Sequence, residues 1–232
     1  PEIITLIDIL NKMGGQITIT DDNSIIICGC RNLKPVDHTI IPDRIEAGTY
    51  LMAALATNGN VTLHGIGANY LAKPIKLLIK AGAKIEEHDD SITVHASTAP
   101  LAPIRMKTAP YPGFPTDLQA QLMALCATIP GISYIDETVF ENRFMHVPEL
   151  LRMGAAITTN GNHAVIDGKK SQLVGAPVMA TDLRASVSLV IAALAAQGTS
   201  IINRIYHLDR GYDSLEQKLI QCGAKILRVP RV

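Results

Sequence analysis

The chain has no charge of one sign in excess. Its 232 residues carry 21 Lys and Arg against 21 Asp and Glu, so net charge gives no footing for binding nucleic acid or an anionic membrane. It has no long hydrophobic run either. The longest, Leu189 to Ala196, is eight residues, where a bilayer span needs roughly 20. The four cysteines (Cys28, Cys30, Cys126, Cys222) form no C-x-x-C pair, and the seven histidines form no H-x-x-x-H pair or Cys/His cluster. A disulfide framework and a metal site are therefore not expected, and the thiols read as buried free cysteines of a reducing cytoplasm. The chain begins at Pro1 within helical patterning and carries neither signal-peptide features nor an initiating Met. It reads as part of something longer.

What is present is 47% apolar residues, enough to fill a sizeable core, and a long-period repeat. Gly14-Gly15-Gln16-Ile17, Gly82-Ala83-Lys84-Ile85, Gly154-Ala155-Ala156-Ile157 and Gly223-Ala224-Lys225-Ile226 lie 68, 72 and 69 residues apart, the length of a whole supersecondary unit. Asp43, Asp117 and Asp182 mark its other end, each preceding an Ala/Leu-rich helix. Within a unit the signals run strand, helix, strand, helix, strand, strand. The first helices (Ile45 to Thr57, Leu118 to Thr128, Leu183 to Ala196) are apolar or small around most of their circumference, so they should be buried on nearly all sides. The second helices (about Arg143 to Met153, and Tyr212 to Cys222) are amphipathic. Each ends at a glycine suited to a left-handed C-terminal position. Closing strands are expected at Ile157 to Thr159, His163 to Ile166 and Ala224 to Val229. The fold class is α/β, repeated βαβαββ units forming an inside-out barrel with helices inside and sheets outside. Residues 1–29 carry only the last helix and strand pair of an earlier unit. The domain boundary is placed near Gly29 to Lys34, with three units over 30–232, the last incomplete.

If the units superpose, their charged corners fall at one end of the domain. Asp43-Arg44, Asp117 and Asp182-Leu183-Arg184 begin the first helices, and Glu141-Asn142-Arg143 and Asp209-Arg210 begin the second. Arginines at helix N-termini suit phosphate or carboxylate, because free N–H groups and the guanidinium fork act together. Each aspartate also has a plain structural reading as an N-cap, and each arginine as half of an ion pair. Asp117 differs from its counterparts. The Asp spacing is 74 residues and then 65, and the loop Lys107 to Pro115 before it is rich in Pro and aromatics, a unit-specific insertion of the kind that carries function. A carboxylate repels phosphate, so Asp117 suits a hydroxyl and its proton.

Four segments carry a resemblance: Pro115 to Gln121 (PTDLQAQ), Glu137 to Leu150 (ETVFENRFMHVPEL), Met179 to Ser186 (MATDLRAS) and Tyr206 to Tyr212 (YHLDRGY). In this order and spacing they resemble the UDP-N-acetylglucosamine 1-carboxyvinyltransferase family of enolpyruvyl transferases, over the whole chain but about the second half of the family's protein. The resemblance implies two domains of three βαβαββ units closing on substrate, no cofactor, and a cytoplasmic enzyme of peptidoglycan synthesis serving cell-wall biogenesis, cell shape and division. The substrates it implies are UDP-N-acetylglucosamine and phosphoenolpyruvate. It casts Asp117 as base candidate and sugar ligand, Val139 as a backbone contact to the sugar nucleotide, and Arg143, Arg184 and Arg210 as arginines of the face that holds phosphoenolpyruvate. Asp182 becomes a supporting acid. The family's Lys-Asn pair, another phosphate-binding Arg and the loop bearing its general-acid cysteine match nothing in this chain. Residues 1–232 alone are thus expected to be inactive without the N-terminal domain. A relative with another acceptor, such as 5-enolpyruvylshikimate-3-phosphate synthase, and a non-catalytic sugar-nucleotide-binding module stay open as alternatives.

Overall fold

A computed structural model of the chain describes residues 1–22 and 24–229. Its contacts divide it into two units, Pro1–Asp43 and Arg44–Val232. The first holds helix α1 (Glu2–Lys12) and an antiparallel hairpin of β1 (Gln16–Ile19) and β2 (Ile25–Cys28). Asn11 ties helix to hairpin, donating from Nδ2 to the Ile17 carbonyl and accepting from the Ile17 N–H, both at 2.8 Å.

The second unit displays the repeat. Its first copy has α2 (Arg44–Ala56), β3 (Val61–His64), α3 (Ala72–Lys80), β4 (Lys84–Glu87) and β5 (Ser91–His95). Its second has β6 (Arg105–Lys107), α4 (Gln119–Cys126), β7 (Ile132–Asp136), α5 (Val147–Arg152), β8 (Ile157–Asn160) and β9 (His163–Asp167). The third has β10 (Pro177–Met179), α6 (Leu183–Ala195), β11 (Ile201–Asn203) and α7 (Leu215–Gln221). The second copy is a full βαβαββ unit. Its sheet runs β6-β7-β9-β8, and the first copy repeats the last three places as β3-β5-β4. In both sheets the final strand lies between the other two and antiparallel to them. In the second and third copies the leading strand pairs in parallel with the strand after the first helix, β6 with β7 and β10 with β11.

Helices α2, α4 and α6 pack against one another. Every residue of α4 is buried, as are nine of α2 and seven of α6, because Ala, Leu, Met and Ile leave these helices no face that prefers water. The second helices bury one stripe each: Ile75 and Leu78, Val147 and Leu150, Leu215 and Leu219. The strands β5, β7 and β9 bury alternate residues, as a sheet does when one face covers a core and the other meets solvent. This is the inside-out arrangement expected from the sequence.

The four recurring glycines share one backbone solution. Gly14, Gly82, Gly154 and Gly223 have φ of 101°, 101°, 90° and 96°. In each case the glycine N–H bonds the carbonyl three residues back and the next N–H the carbonyl five back, as Gly82 to Ile79 and Ala83 to Leu78. This left-handed double cap ends the helix and aims the chain into its strand.

Three expectations are corrected. Ala224 to Val229 forms no strand: β4 and β8 each lie against a following strand, and none follows Ala224 among the described residues. Helices α5 and α7 begin at Val147 and Leu215, with turns over 141–146 and 208–211, so Arg143 and Arg210 precede the first helical turn rather than sit in it. Of the four thiols only Cys126 is buried, where desolvation pushes it up to about 12 and keeps it inert.

Candidate active site

The long loop before Asp117 is itself folded. Phe114 is buried and bridges Thr108, the Ala109 N–H bonds the Phe114 carbonyl at 2.9 Å, and Gly113 bonds Pro110 at 2.7 Å. The chain then enters a short 3-10 turn, Thr116–Leu118, that leads into α4. Asp117 sits on this turn and makes no capping hydrogen bond to it. Its carboxylate instead meets two guanidinium groups: Arg143 Nη2 donates to Oδ1 at 2.9 Å, and Arg184 Nε lies 3.3 Å from the same oxygen. Asp117 keeps 40% of its side chain exposed, against 16% for Arg143 and 18% for Arg184, so the carboxylate is the member of the trio most open to a solute.

Each arginine is fixed by its own element. Arg143 lies in the turn before α5, its guanidinium stacked 4.6 Å over the Phe140 ring, an attraction of cation and ring face. Arg184 is the second residue of α6, whose start is held by Asp182. That carboxylate accepts from the N–H groups of Arg184 at 2.8 Å and Ala185 at 2.9 Å. The two aspartates therefore divide the roles that the sequence left undecided. Asp182 is the N-cap; Asp117 is the hub of an ion-pair cluster.

Behind the cluster lies a polar network inside the helical core. Gln121 Nε2 donates to the Asp117 carbonyl at 2.8 Å and to Thr49 Oγ1 at 3.2 Å. The Thr49 hydroxyl donates to the Ile45 carbonyl at 2.9 Å and shares a 2.9 Å bond with the Tyr212 hydroxyl. Burial raises the Tyr212 phenol's pKa, with Thr49 and the Arg184 guanidinium pulling it back. Thr49, Gln121 and Tyr212 come from three different repeats and are all buried. They tie α2, α4 and the segment before α7 to the backbone of Asp117. Close by, His146 is buried and held to about 4 by desolvation, with the Arg143 charge adding to the effect and Asp182 opposing it.

Val139 is exposed, and its N–H is committed at 2.9 Å to the Glu137 carboxylate. Arg210 forms no ion pair with Asp117 or any other side chain among the described residues. It lines an open cleft of about 520 Å³ with Glu46, Tyr212, Asp213, Glu216 and Arg228. Its neighbour Asp209 is bound by Arg228, at 3.0 and 2.7 Å. Of the residues named from the sequence, the structure brings Asp117, Arg143 and Arg184 into contact. Sequence reasoning passed over Thr49, Gln121, Tyr212, Glu137 and His146. Polar residues inside two otherwise apolar helices were the readable signal for Thr49 and Gln121. Glu137 opens one of the resembling segments, but nothing in the sequence gives it a role.

No helix among the described residues is long and apolar enough to cross a membrane, and no group of metal-ligating side chains is assembled among them. The chain is 56% identical over 229 residues to a UDP-N-acetylglucosamine 1-carboxyvinyltransferase of Rhodopseudomonas palustris (strain BisB18), and 53% identical to one of Azorhizobium caulinodans. Each match takes in 99% of this chain and 53% of the relative, so the chain spans about half the length of these proteins. Among solved structures, the enolpyruvyl transferase NikO from Streptomyces tendae superposes with a TM-score of 0.87 at 32% identity, over 96% of this chain and 53% of that one. An EPSP synthase from Acinetobacter baumannii shares the fold, with a TM-score of 0.71 at 20% identity, over 92% of this chain and 53% of its own. The family model for EPSP synthase (3-phosphoshikimate 1-carboxyvinyltransferase) matches residues 1–219, and with this repeat architecture behind it the chain belongs to that family, the enolpyruvyl transferases.

Proposed function

We propose that the protein containing this chain transfers the enolpyruvyl group of phosphoenolpyruvate to the 3-hydroxyl of UDP-N-acetylglucosamine, in the cytoplasm and for peptidoglycan synthesis. Residues 30–232 supply one face of the site; residues 1–29 belong with the N-terminal domain that supplies the other. The observation that carries this reading is the exposed Asp117 carboxylate held between Arg143 and Arg184, on a chain 56% identical to a carboxyvinyltransferase with that acceptor in its name.

The chemistry suits the set. In the addition step the sugar oxygen bonds to C2 of phosphoenolpyruvate, its proton leaves to a base, and a proton is added at C3. In the elimination step the C2–O bond to phosphate breaks, a C3 proton leaves, and the enol ether and inorganic phosphate separate. A weakly nucleophilic alcohol needs a base within reach, which Asp117 provides. An enol phosphate bearing carboxylate and phosphate needs its charge held, which Arg143, Arg184 and Arg210 provide. In this structure both guanidinium groups occupy one carboxylate oxygen of Asp117. An arriving anion that draws the arginines toward itself uncovers the carboxylate, so substrate binding prepares the base. Asp182 keeps Arg184 at the head of α6, and the Val139 backbone faces the sugar nucleotide.

The test is phosphate release by the full-length protein from UDP-N-acetylglucosamine and phosphoenolpyruvate, with shikimate 3-phosphate as competing acceptor. Turnover with the sugar nucleotide is expected, and residues 1–232 alone should be inactive. Turnover with shikimate 3-phosphate in its place, or with neither acceptor, overturns the reading.

A further inference from the structure

Glu137 follows β7 and is 2% exposed, yet it makes no ion pair among the described residues. Four donors satisfy it. Oε1 accepts from the Thr108 hydroxyl at 2.8 Å and from the N–H groups of Val139 and Phe140 at 2.9 and 3.0 Å. Oε2 accepts from the Thr116 hydroxyl at 2.7 Å. The Thr108 hydroxyl in turn accepts from the Thr138 N–H at 2.8 Å. All four partners can present a hydrogen, which suits a carboxylate that only accepts. The Glu137 backbone is pinned as well, exchanging bonds of 2.8 and 2.9 Å with Asn162.

These partners lie on both sides of the candidate site. Thr116 is the residue before Asp117, and Val139 and Phe140 open the turn that delivers Arg143 and carry the ring on which Arg143 stacks. One carboxylate thus fastens the two segments whose side chains meet in the 2.9 Å Arg143–Asp117 pair. The geometry points to Glu137 as a positioning residue for the transfer reaction, setting the distance between the Asp117 base and the turn of Val139 and Arg143. It touches no reacting atom and acts through Thr116 and the 139–140 amides. The inference rests on the proposed function for its reaction, and on the hydrogen bonds for its mechanism.

Two conservative changes test it in the full-length protein. Glu137→Gln keeps an oxygen for the Val139 and Phe140 N–H groups but turns an NH₂ toward Thr116, whose hydroxyl can reverse to accept it. The fold should persist, kcat should fall about tenfold, and KM for the sugar nucleotide should hold, given that misplacement by about 1 Å can cost about 100-fold. Thr116→Val should reproduce that kcat loss, and the double variant should be no worse than the weaker of the two singles, because both act through one bond. A Glu137→Gln enzyme with wild-type kcat, or losses that simply multiply, overturns the positioning role while wild-type turnover keeps the function intact. A substrate-free reading comes from amide exchange in Glu137→Leu. Exchange should quicken together over 116–118 and 138–143; acceleration confined to 138–140 overturns the coupling whatever the substrates prove to be.

Discussion

His146 gives the protein a specific weakness to acid. The imidazole is 1% exposed, its Nε2 has no hydrogen-bond partner among the described residues, and burial lowers its pKa from 6.5 to about 4. A histidine depressed in the folded state contributes stability that is fully present above its unfolded value and is lost as pH falls toward the folded one. The unfolded chain binds the extra proton first, so stability rises with pH across the window from about 4 to 6.5. With these values the linkage relation gives a loss of about 2 kcal/mol between pH 7 and pH 5, approaching about 3 kcal/mol near pH 4. Against a typical total of about 5–15 kcal/mol that is readily measured. Urea unfolding of the wild type and of His146→Leu at several pH values isolates the contribution, because carboxylates common to both cancel. The leucine variant should be at least as stable at pH 7, having removed an unpaired buried nitrogen, and should lose about 2 kcal/mol less on acidification to pH 5. Parallel stability curves for the two proteins between pH 7 and pH 4.5 would refute the reasoning.

Other outcomes follow from the same geometry. Asp117→Asn in the full-length protein should keep the fold, since Asp117 caps nothing, and abolish most phosphate release; near-normal turnover would remove it as the base. Asp182→Ala should lower stability by about 1–2 kcal/mol, the value of an N-cap accepting two N–H groups, and weaken phosphoenolpyruvate binding through Arg184; an unchanged melting temperature would contradict the cap. Gly82→Ala and Gly154→Ala separate backbone strain from collision. A Cβ at Gly82 meets nothing within 4 Å, whereas at Gly154 it would lie 2.2 Å from the Gln172 carbonyl oxygen. The first should cost about 1 kcal/mol of left-handed strain and the second clearly more by thermal unfolding; equal losses would show that the loop at Gln172 yields freely.

The framework was legible because it depends on patterns that one chain can display. Helices α2, α4 and α6 were readable from sequences dominated by small and apolar residues, and the strand starts from glycines that recur at a fixed place. Strand identity was less legible, because a strand exists only through its neighbour. Ala224 to Val229 has the composition of β4 and β8 without a partner among the described residues. Helix starts at Val147 and Leu215 were blurred by turns whose residues also suit a helix. The ion-pair trio could be proposed from recurring corners, yet whether an aspartate caps or pairs is decided by side-chain direction. Asp117 and Asp182 look alike in the sequence and differ there. The bonding of Glu137 was hidden for a related reason, as its four donors come from Thr108, Thr116 and the 139–140 backbone, which no local pattern brings together.

The buried chain from Gln121 through Thr49 to Tyr212 gives each repeat an address. Three helices rich in alanine and leucine present similar surfaces, and apolar packing alone tolerates exchange of one for another. A core that requires one amide, one aliphatic hydroxyl and one phenol from three different copies does not. Transplanting the α2 sequence into the place of α4 would leave several of these groups dry and unpaired, at about 1–3 kcal/mol each, a large share of what holds a domain of this size together. The repeats keep the architecture of copies but are no longer interchangeable parts, and Gln121, one of the side chains that enforce the distinction, is bonded to the backbone carbonyl of Asp117.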